Sequence, residues 1–310
     1  MPLRAPGLRA LAAIPIAILA LAHTALAGPP GAVGDAYVTS DVDNQTQQYD
    51  ATTGALVATF ITPAAASGQM AIHFGESNNR VLVGSVSGGV EEFNATTGAY
   101  IKTYNAGGGL QWAGLYAPSG NVYIGDHATN DVREYDAVTG AMVGVLTACA
   151  APADMLIGPN GNLFICSYTG GFVMEVDAVT GAFVDQWSQA PGDRTNDIAF
   201  LPGGDILVTV MQTNVVYRYD SGKNLLGSFA GTAWGRTHGI DIGPADGNIY
   251  VVDGITAQVH VFDPVTFVEL NAAFLIPTTG AKLVDIAFKP EPGPVSLESR
   301  SWGSIKALHR

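Results

Sequence analysis

The stretch from Asn121 to Gly140, NVYIGDHATNDVREYDAVTG, contains in twenty residues the unit from which most of the chain is built. Val122, Tyr123 and Ile124 predict a short strand, Asp126 to Asn130 a polar turn, and Val132, Glu134 and Tyr135 the returning strand. Asp136-Ala-Val-Thr-Gly140 stops that strand, because the Asp carboxylate can accept backbone N–H groups ahead of it and the Gly can take a positive φ. A third strand follows from Ala141 to Leu146.

The turn recurs as Asp50-Ala-Thr-Thr-Gly54, Asn94-Ala-Thr-Thr-Gly98 and Asp177-Ala-Val-Thr-Gly181, then in altered form as Asp220-Ser-Gly222 and Asp263-Pro-Val-Thr266. Successive Asp or Asn positions lie 44, 42, 41, 43 and 43 residues apart. A period of about 40 to 50 residues with several strands per repeat predicts an all-β fold, the β-propeller, with one blade per repeat. An inner strand precedes each hairpin, as at Asp154 to Ile157 and Asp197 to Leu201, and most end in turns such as Gly158-Pro-Asn-Gly161. The first repeat begins at Ala36 to Thr39 without an inner strand, and Lys282 to Lys289 is an inner strand without the others. Six blades are therefore expected, the ring closed by the C-terminal inner strand joining the N-terminal strands so that no sheet edge stays open.

Four segments follow. Residues 1–27 carry Arg4 and Arg9, an apolar run from Leu11 to Ala22 and Ala25-Leu26-Ala27, the pattern of a cleaved secretory signal. Residues 28–34 form a short linker, 35–290 the propeller, and 291–310 a tail of different character. The mature protein is thus expected to be secreted, periplasmic or at the cell surface, and monomeric, with no membrane span, the apolar run being shorter than the ~20 residues a span needs. Removing residues 1–27 takes Arg4 and Arg9 from 14 Lys and Arg, leaving 12 against 27 Asp and Glu, a net charge of −15. Such a surface repels phosphate backbones and argues against nucleic acid as a partner.

Gly239-Ile-Asp-Ile-Gly-Pro244, with Gly247-Asn-Ile-Tyr-Val-Val-Asp253 and Val259 to Asp263, resembles NHL repeats. It is similar too to the six-bladed gluconolactonase and senescence-marker propellers and to virginiamycin B lyase. The resemblance implies a divalent metal at the channel mouth, held by acidic, Asn or His side chains where inner strands start. Those starts fall at Trp112, Ala153, Asn196, His238 and Val284, with Gln69 or Met70 in the remaining blade. Asn196 and His238 are the possible metal ligands among them, and Arg194-Thr-Asn-Asp197 and Thr237-His-Gly-Ile240 resemble the two enzyme groups.

A second pattern sits on the same rim. Arg194-Thr-Asn196 and Arg236-Thr-His238 occupy equivalent places in adjacent blades, and a guanidinium fork suits a carboxylate or phosphate. Arg194, Asn196, Asp197, Arg236, His238 and Trp112 are the expected ligand-binding residues, with Trp187 and Trp234 as further parts of an apolar platform. The other reading is structural: the two Arg bridge to Asp193, Asp197 or Asp241, and the Trp residues fill space between blades. His73 reads as a satisfied channel histidine, and Asp41-Val-Asp-Asn44 as a turn. Cys149 and Cys166, an even pair in an exported chain, are expected to form a disulfide closing a 17-residue loop.

No Gly-x-Ser-x-Gly, phosphate-binding loop or His-Glu-x-x-His occurs, so nucleophilic hydrolysis and zinc-protease chemistry have no motif. The expectation is a non-catalytic scaffold binding a protein or small anionic ligand over its loop face. The alternative is a metal-assisted lyase or lactonase at the channel mouth.

Overall fold

The computed structural model describes residues 30–62, 67–75, 78–104, 110–188, 194–275 and 281–291. The expected signal segment, Asp193 and nearly all of the tail lie outside them. The described chain is all-β, without a helix. It begins with β1 (Ala36–Ser40), β2 (Gln45–Tyr49) and β3 (Leu56–Ile61). Five runs of four strands follow. They are β4 (Ser67–Phe74), β5 (Arg80–Ser87), β6 (Val90–Asn94) and β7 (Tyr100–Tyr104); β8 (Gln111–Tyr116), β9 (Val122–Asp126), β10 (Asp131–Tyr135) and β11 (Met142–Ala148); and β12 (Pro152–Ile157), β13 (Leu163–Ser167), β14 (Phe172–Val176) and β15 (Phe183–Ser188). Then come β16 (Thr195–Phe200), β17 (Ile206–Val210), β18 (Val215–Tyr219) and β19 (Leu225–Phe229), and β20 (Thr237–Ile242), β21 (Ile249–Asp253), β22 (Gln258–Phe262) and β23 (Glu269–Asn271). The last strand is β24 (Leu283–Phe288).

Each run is an antiparallel meander, and β24 pairs with β1, Ala36 opposite Phe288, to give the order β24-β1-β2-β3. The hydrogen-bonded sheets do not divide into six. Ser85 of β5 pairs with Gln111 of β8, and this one bridge fuses the second and third meanders into an eight-stranded sheet beside four sheets of four strands. The inner strands follow one another in a propeller-like arrangement: β4 lies beside β8, then β12, β16, β20 and β24, which lies beside β4.

Burial follows position within each meander. The strands β1, β9, β13, β17 and β21 are buried at every residue, whereas β11, β19 and β23 are largely exposed or half-buried. A strand one place from the lumen is covered on both faces by neighbouring sheets, so both faces carry apolar residues and the polar alternation disappears. Apolar clusters fill the seams. Tyr37, Phe60, Ile72 and Phe93 join the β24-β1-β2-β3 sheet to the β4–β7 meander, and Leu82, Tyr104, Ile124 and Tyr135 join the next two.

The alternation of β13 overturns the expected disulfide. Leu163 and Ile165 pack with Cys149 against the third meander, whereas Phe164 and Cys166 pack on the other face against the fifth. Both cysteines are free, buried thiols. Successive side chains on a strand point to opposite faces, so reaching the same end of the sheet does not bring the two sulfurs together. Burial, only partly offset by a hydrogen bond with Ser167, pushes the Cys149 thiol up to about 12.

Candidate functional site at the rim and lumen

The rim where inner strands start is built by one repeated backbone bond. The residue just past the second strand donates its N–H to the carbonyl just before the inner strand: His127 to Leu110 at 2.8 Å, and Tyr168 to Ala151, Met211 to Arg194 and Gly254 to Arg236 at 2.9 Å, with Asp41 to Lys282 at 3.2 Å. Arg194, Arg236 and Lys282 are therefore equivalent positions in three consecutive meanders. The Arg-Thr strings had revealed the first two; Lys282, lacking the following Thr, escaped that pattern.

The three cations are engaged differently. Arg194 donates from Nη1 to the Tyr168 hydroxyl at 2.9 Å and stacks 4.9 Å over the Tyr168 ring. Lys282 pairs with Asp41, joining β24 to the β1–β2 turn. The Arg236 guanidinium has no partner among the described residues, although its backbone N–H donates to Asp253. Asp253 is not available to that guanidinium. Burial pushes its carboxyl up, but donors from Thr256, Ile255 and Gly235 outweigh this and hold it below the usual carboxylate range. Neither Arg194 nor Arg236 ion-pairs with a described Asp, so the bridges to Asp197 and Asp241 do not form.

Beside Arg194 lies an aromatic cluster. Trp112 sits 4.1 Å from His127 and 5.0 Å from Tyr168 between ring centroids, and the indole N–H of Trp112 is buried without a partner. His127 and Tyr168 were not anticipated, yet each directly follows a second strand, the register the rim bond uses. Trp187 and Trp234 do not join this platform. Trp187 packs against Phe164 and Tyr219, and Trp234 donates to the Asn214 carbonyl at 2.7 Å and packs on His260 and Phe262. Both fill space between sheets, as the structural reading held.

The two expected metal ligands part company. Asn196 borders a small cavity of about 10 Å³ with Met70, Trp112, Ala153 and Val284, whereas His238 does not line it. The His238 ring is tucked against Gly254, where an added Cβ would come 2.5 Å from the imidazole. Burial, with Lys282 and Arg236 adding, pushes that imidazole down to about 3, so it is neutral. Among the described residues no group of three or more His, Cys, Asp or Glu is arranged to hold a metal ion.

Below the rim the lumen is acidic. A cavity of about 220 Å³ is bordered by His73, Asp154, Asp197, Asp241 and Asp285, and Asp154, Asp197 and Asp285 also border the small upper cavity. These carboxyl groups separate the two compartments. Asp197, expected on the rim, thus belongs to the lumen: its Oδ1 accepts the Ile198 N–H and its Oδ2 the Ile240 N–H of the next sheet, both at 2.6 Å. Asp154, Asp197 and Asp285 each lie five residues before a Pro, a register legible in the sequence.

No family model matches the sequence, and no curated protein matches it. Among solved structures, a protein of unknown function from Bacteroides caccae superposes with a TM-score of 0.60 at 14% identity, covering 81% of this chain and 97% of that one. A chain of a nidogen/laminin complex superposes with a TM-score of 0.68 at 13% identity, covering 82% of this chain and 98% of that one. Together with the sheet arrangement these likenesses support a β-propeller fold and leave the gluconolactonase-type family without specific support. No helix among the described residues is long and apolar enough to cross a membrane.

Proposed function

We propose that the chain is an exported, six-bladed NHL-like propeller, closed by β24, that acts as a non-catalytic scaffold binding an acidic protein segment across its rim. The pairing of β24 with β1 and the succession of inner strands support the six-bladed reading, and residues 1–27 support export. The observation that carries the binding assignment is the row Arg194, Arg236 and Lys282 in consecutive meanders, with the Arg236 guanidinium free among the described residues and the Trp112, His127 and Tyr168 rings alongside. An aromatic surface next to guanidinium groups offers apolar contact and carboxylate recognition together. In a chain of strongly negative charge a local cationic row also steers an acidic partner to one face. The neighbour solved in a complex of two proteins supports a protein partner.

A poly-glutamate peptide is the probe. Titrated calorimetrically at low salt, it should bind the wild type, and Arg194→Ala with Arg236→Ala should weaken it about tenfold or more, the ~1.4 kcal/mol scale of one charge-assisted contact. The melting temperature should fall by no more than a few degrees, since the Arg236 guanidinium has no partner among the described residues and Arg194 loses only its contacts with the Tyr168 hydroxyl and ring. Undiminished binding by the double variant would remove the assignment.

A further inference from the structure

The register that sets Arg194, Arg236 and Lys282 in a row also fixes what stands opposite each of them. The residue just past the second strand, whose N–H closes the rim bond, is Asp41, His127, Tyr168, Met211 or Gly254, and Asp41 is the one acid in the series. Opposite the two Arg stand Met211 and Gly254, neither of which carries a charge. Lys282 faces Asp41, and it is the one cation of the row with a carboxylate partner among the described residues.

This contact differs from the structural carboxylate of the same rim. Asp253 is satisfied on both oxygens: Oδ1 accepts the Arg236 and Ile255 N–H groups, and Oδ2 the Gly235 N–H and the Thr256 hydroxyl. Asp41 Oδ2 accepts the Lys282 ammonium, whereas its Oδ1 is buried without a partner among the described residues. The pair lies partly in solvent, with 39% of the Lys282 side chain exposed. It can open without moving backbone, because the Asp41 N–H holds the Lys282 carbonyl separately at 3.2 Å. Opening also lets Oδ1 reach water, which offsets part of the lost ion pair.

We propose, resting on the reading of the rim as a site for an acidic protein segment, that Asp41 is a tethered competitor for that segment. Its carboxylate occupies Lys282 in the unbound protein, and a carboxylate of the partner displaces it. Tethering decides which acids succeed. A carboxylate carried on the same fold has a high effective concentration at Lys282, so a single dissolved carboxylate does not dislodge it. A segment already held by Arg236 and Arg194 presents its next carboxylate at a comparable effective concentration and exchanges one ion pair for another. The rim thereby favours partners with several closely spaced acids, and its apparent affinity scales with the fraction of molecules in which Lys282 is open.

The probe is poly-glutamate, titrated calorimetrically into the full chain at low salt. Asp41→Asn should tighten binding about fivefold, the upper range for a partly exposed ion pair, and Lys282→Met added to it should take the gain away. Asp43→Asn, which removes the same charge from the same turn, should change affinity by less than about twofold, the effect of one screened charge. A water-soluble carbodiimide, which condenses carboxylates with amines in contact, should join Asp41 to Lys282 in the unbound wild type. Saturating poly-glutamate should suppress that link and join the peptide to Lys282, as read by mass spectrometry of digests. An affinity that Asp41→Asn leaves unchanged, or that Asp43→Asn raises as much, overturns the proposal; so does an Asp41–Lys282 link that persists at saturation. If Asp41→Asn does not fold, the carbodiimide links in the wild type decide. Binding weakened by Arg194→Ala with Arg236→Ala but indifferent to Asp41→Asn removes the competitor and leaves the rim assignment standing, whereas no binding by either wild type or Asp41→Asn removes both.

Discussion

At the scale of single residues, the turns show how one local device is reused with unequal constraint. In Asp136 to Gly140 the carboxylate Oδ1 accepts the N–H groups of Val138 and Thr139 and the Thr139 hydroxyl, and Gly140 donates to the Asp136 carbonyl at φ 73°. Asp263 to Phe267 repeats every one of these bonds with Phe267 at φ 59° in the Gly place, a conformation costly for a bulky residue. The Gly positions also differ in what surrounds them. A Cβ on Gly140 would meet only the far end of Lys102 at 4.0 Å, whereas one on Gly98 would lie 2.0 Å from the Phe60 carbonyl of the preceding sheet. Gly140→Ala should therefore cost about 1 kcal/mol, the price of a positive φ alone, and Gly98→Ala about 3 kcal/mol or more, because backbone must move. Equal losses in urea denaturation would show that the turn glycines serve only the turn. The Asp-to-Gly pattern was legible because its bonds are local. Which glycine abuts a neighbouring sheet was not, since that contact joins residues about 40 apart whose approach depends on how the sheets stack.

At the scale of elements, β24 tests how the structure is held together. It sits between β1 on one side and the inner strands β20 and β4 on the others, and it is buried throughout. Leu283, Val284, Ile286 and Phe288 contribute roughly 1.5–3 kcal/mol each by burial, a total comparable with the ~5–15 kcal/mol by which a domain is stable. Removing residues 282–290 should accordingly abolish the cooperative melting transition, and a truncated chain that melts at the full-length temperature would show that β24 is an accessory. The strand was legible because its apolar residues complete a repeat left incomplete at the N-terminus. The cysteine pairing was misjudged because it used strand direction and not side-chain alternation: Cys149 shares a face with Leu163, and Cys166 with Phe164. The rim was half legible. Arg194 and Arg236 stand in matching strings, but the contact of Arg194 with Tyr168, and of Tyr168 with His127, joins neighbouring meanders and has no local sequence signal.

At the scale of the whole molecule, mass spectrometry of material recovered from the producing cell should give an N-terminus near Gly28, and an intact Met1 would remove the proposal of export. A further consequence follows from where the described chain enters and leaves. Gly34 donates to the Lys289 carbonyl at 2.9 Å and Lys289 to the Asp35 carbonyl at 3.2 Å, while the Lys289 ammonium is held by the carbonyls of Gly31 and Ala95. These bonds lie at the Phe288 end of β24, away from Lys282 and the rim. Entry and exit are thus neighbours on the side facing away from Arg194 and Arg236. A circular permutant that joins residues 30 and 291 through a short linker and opens at an exposed turn such as Asp136 to Gly140 keeps every inner-strand pairing, with the new connection on the side away from the rim.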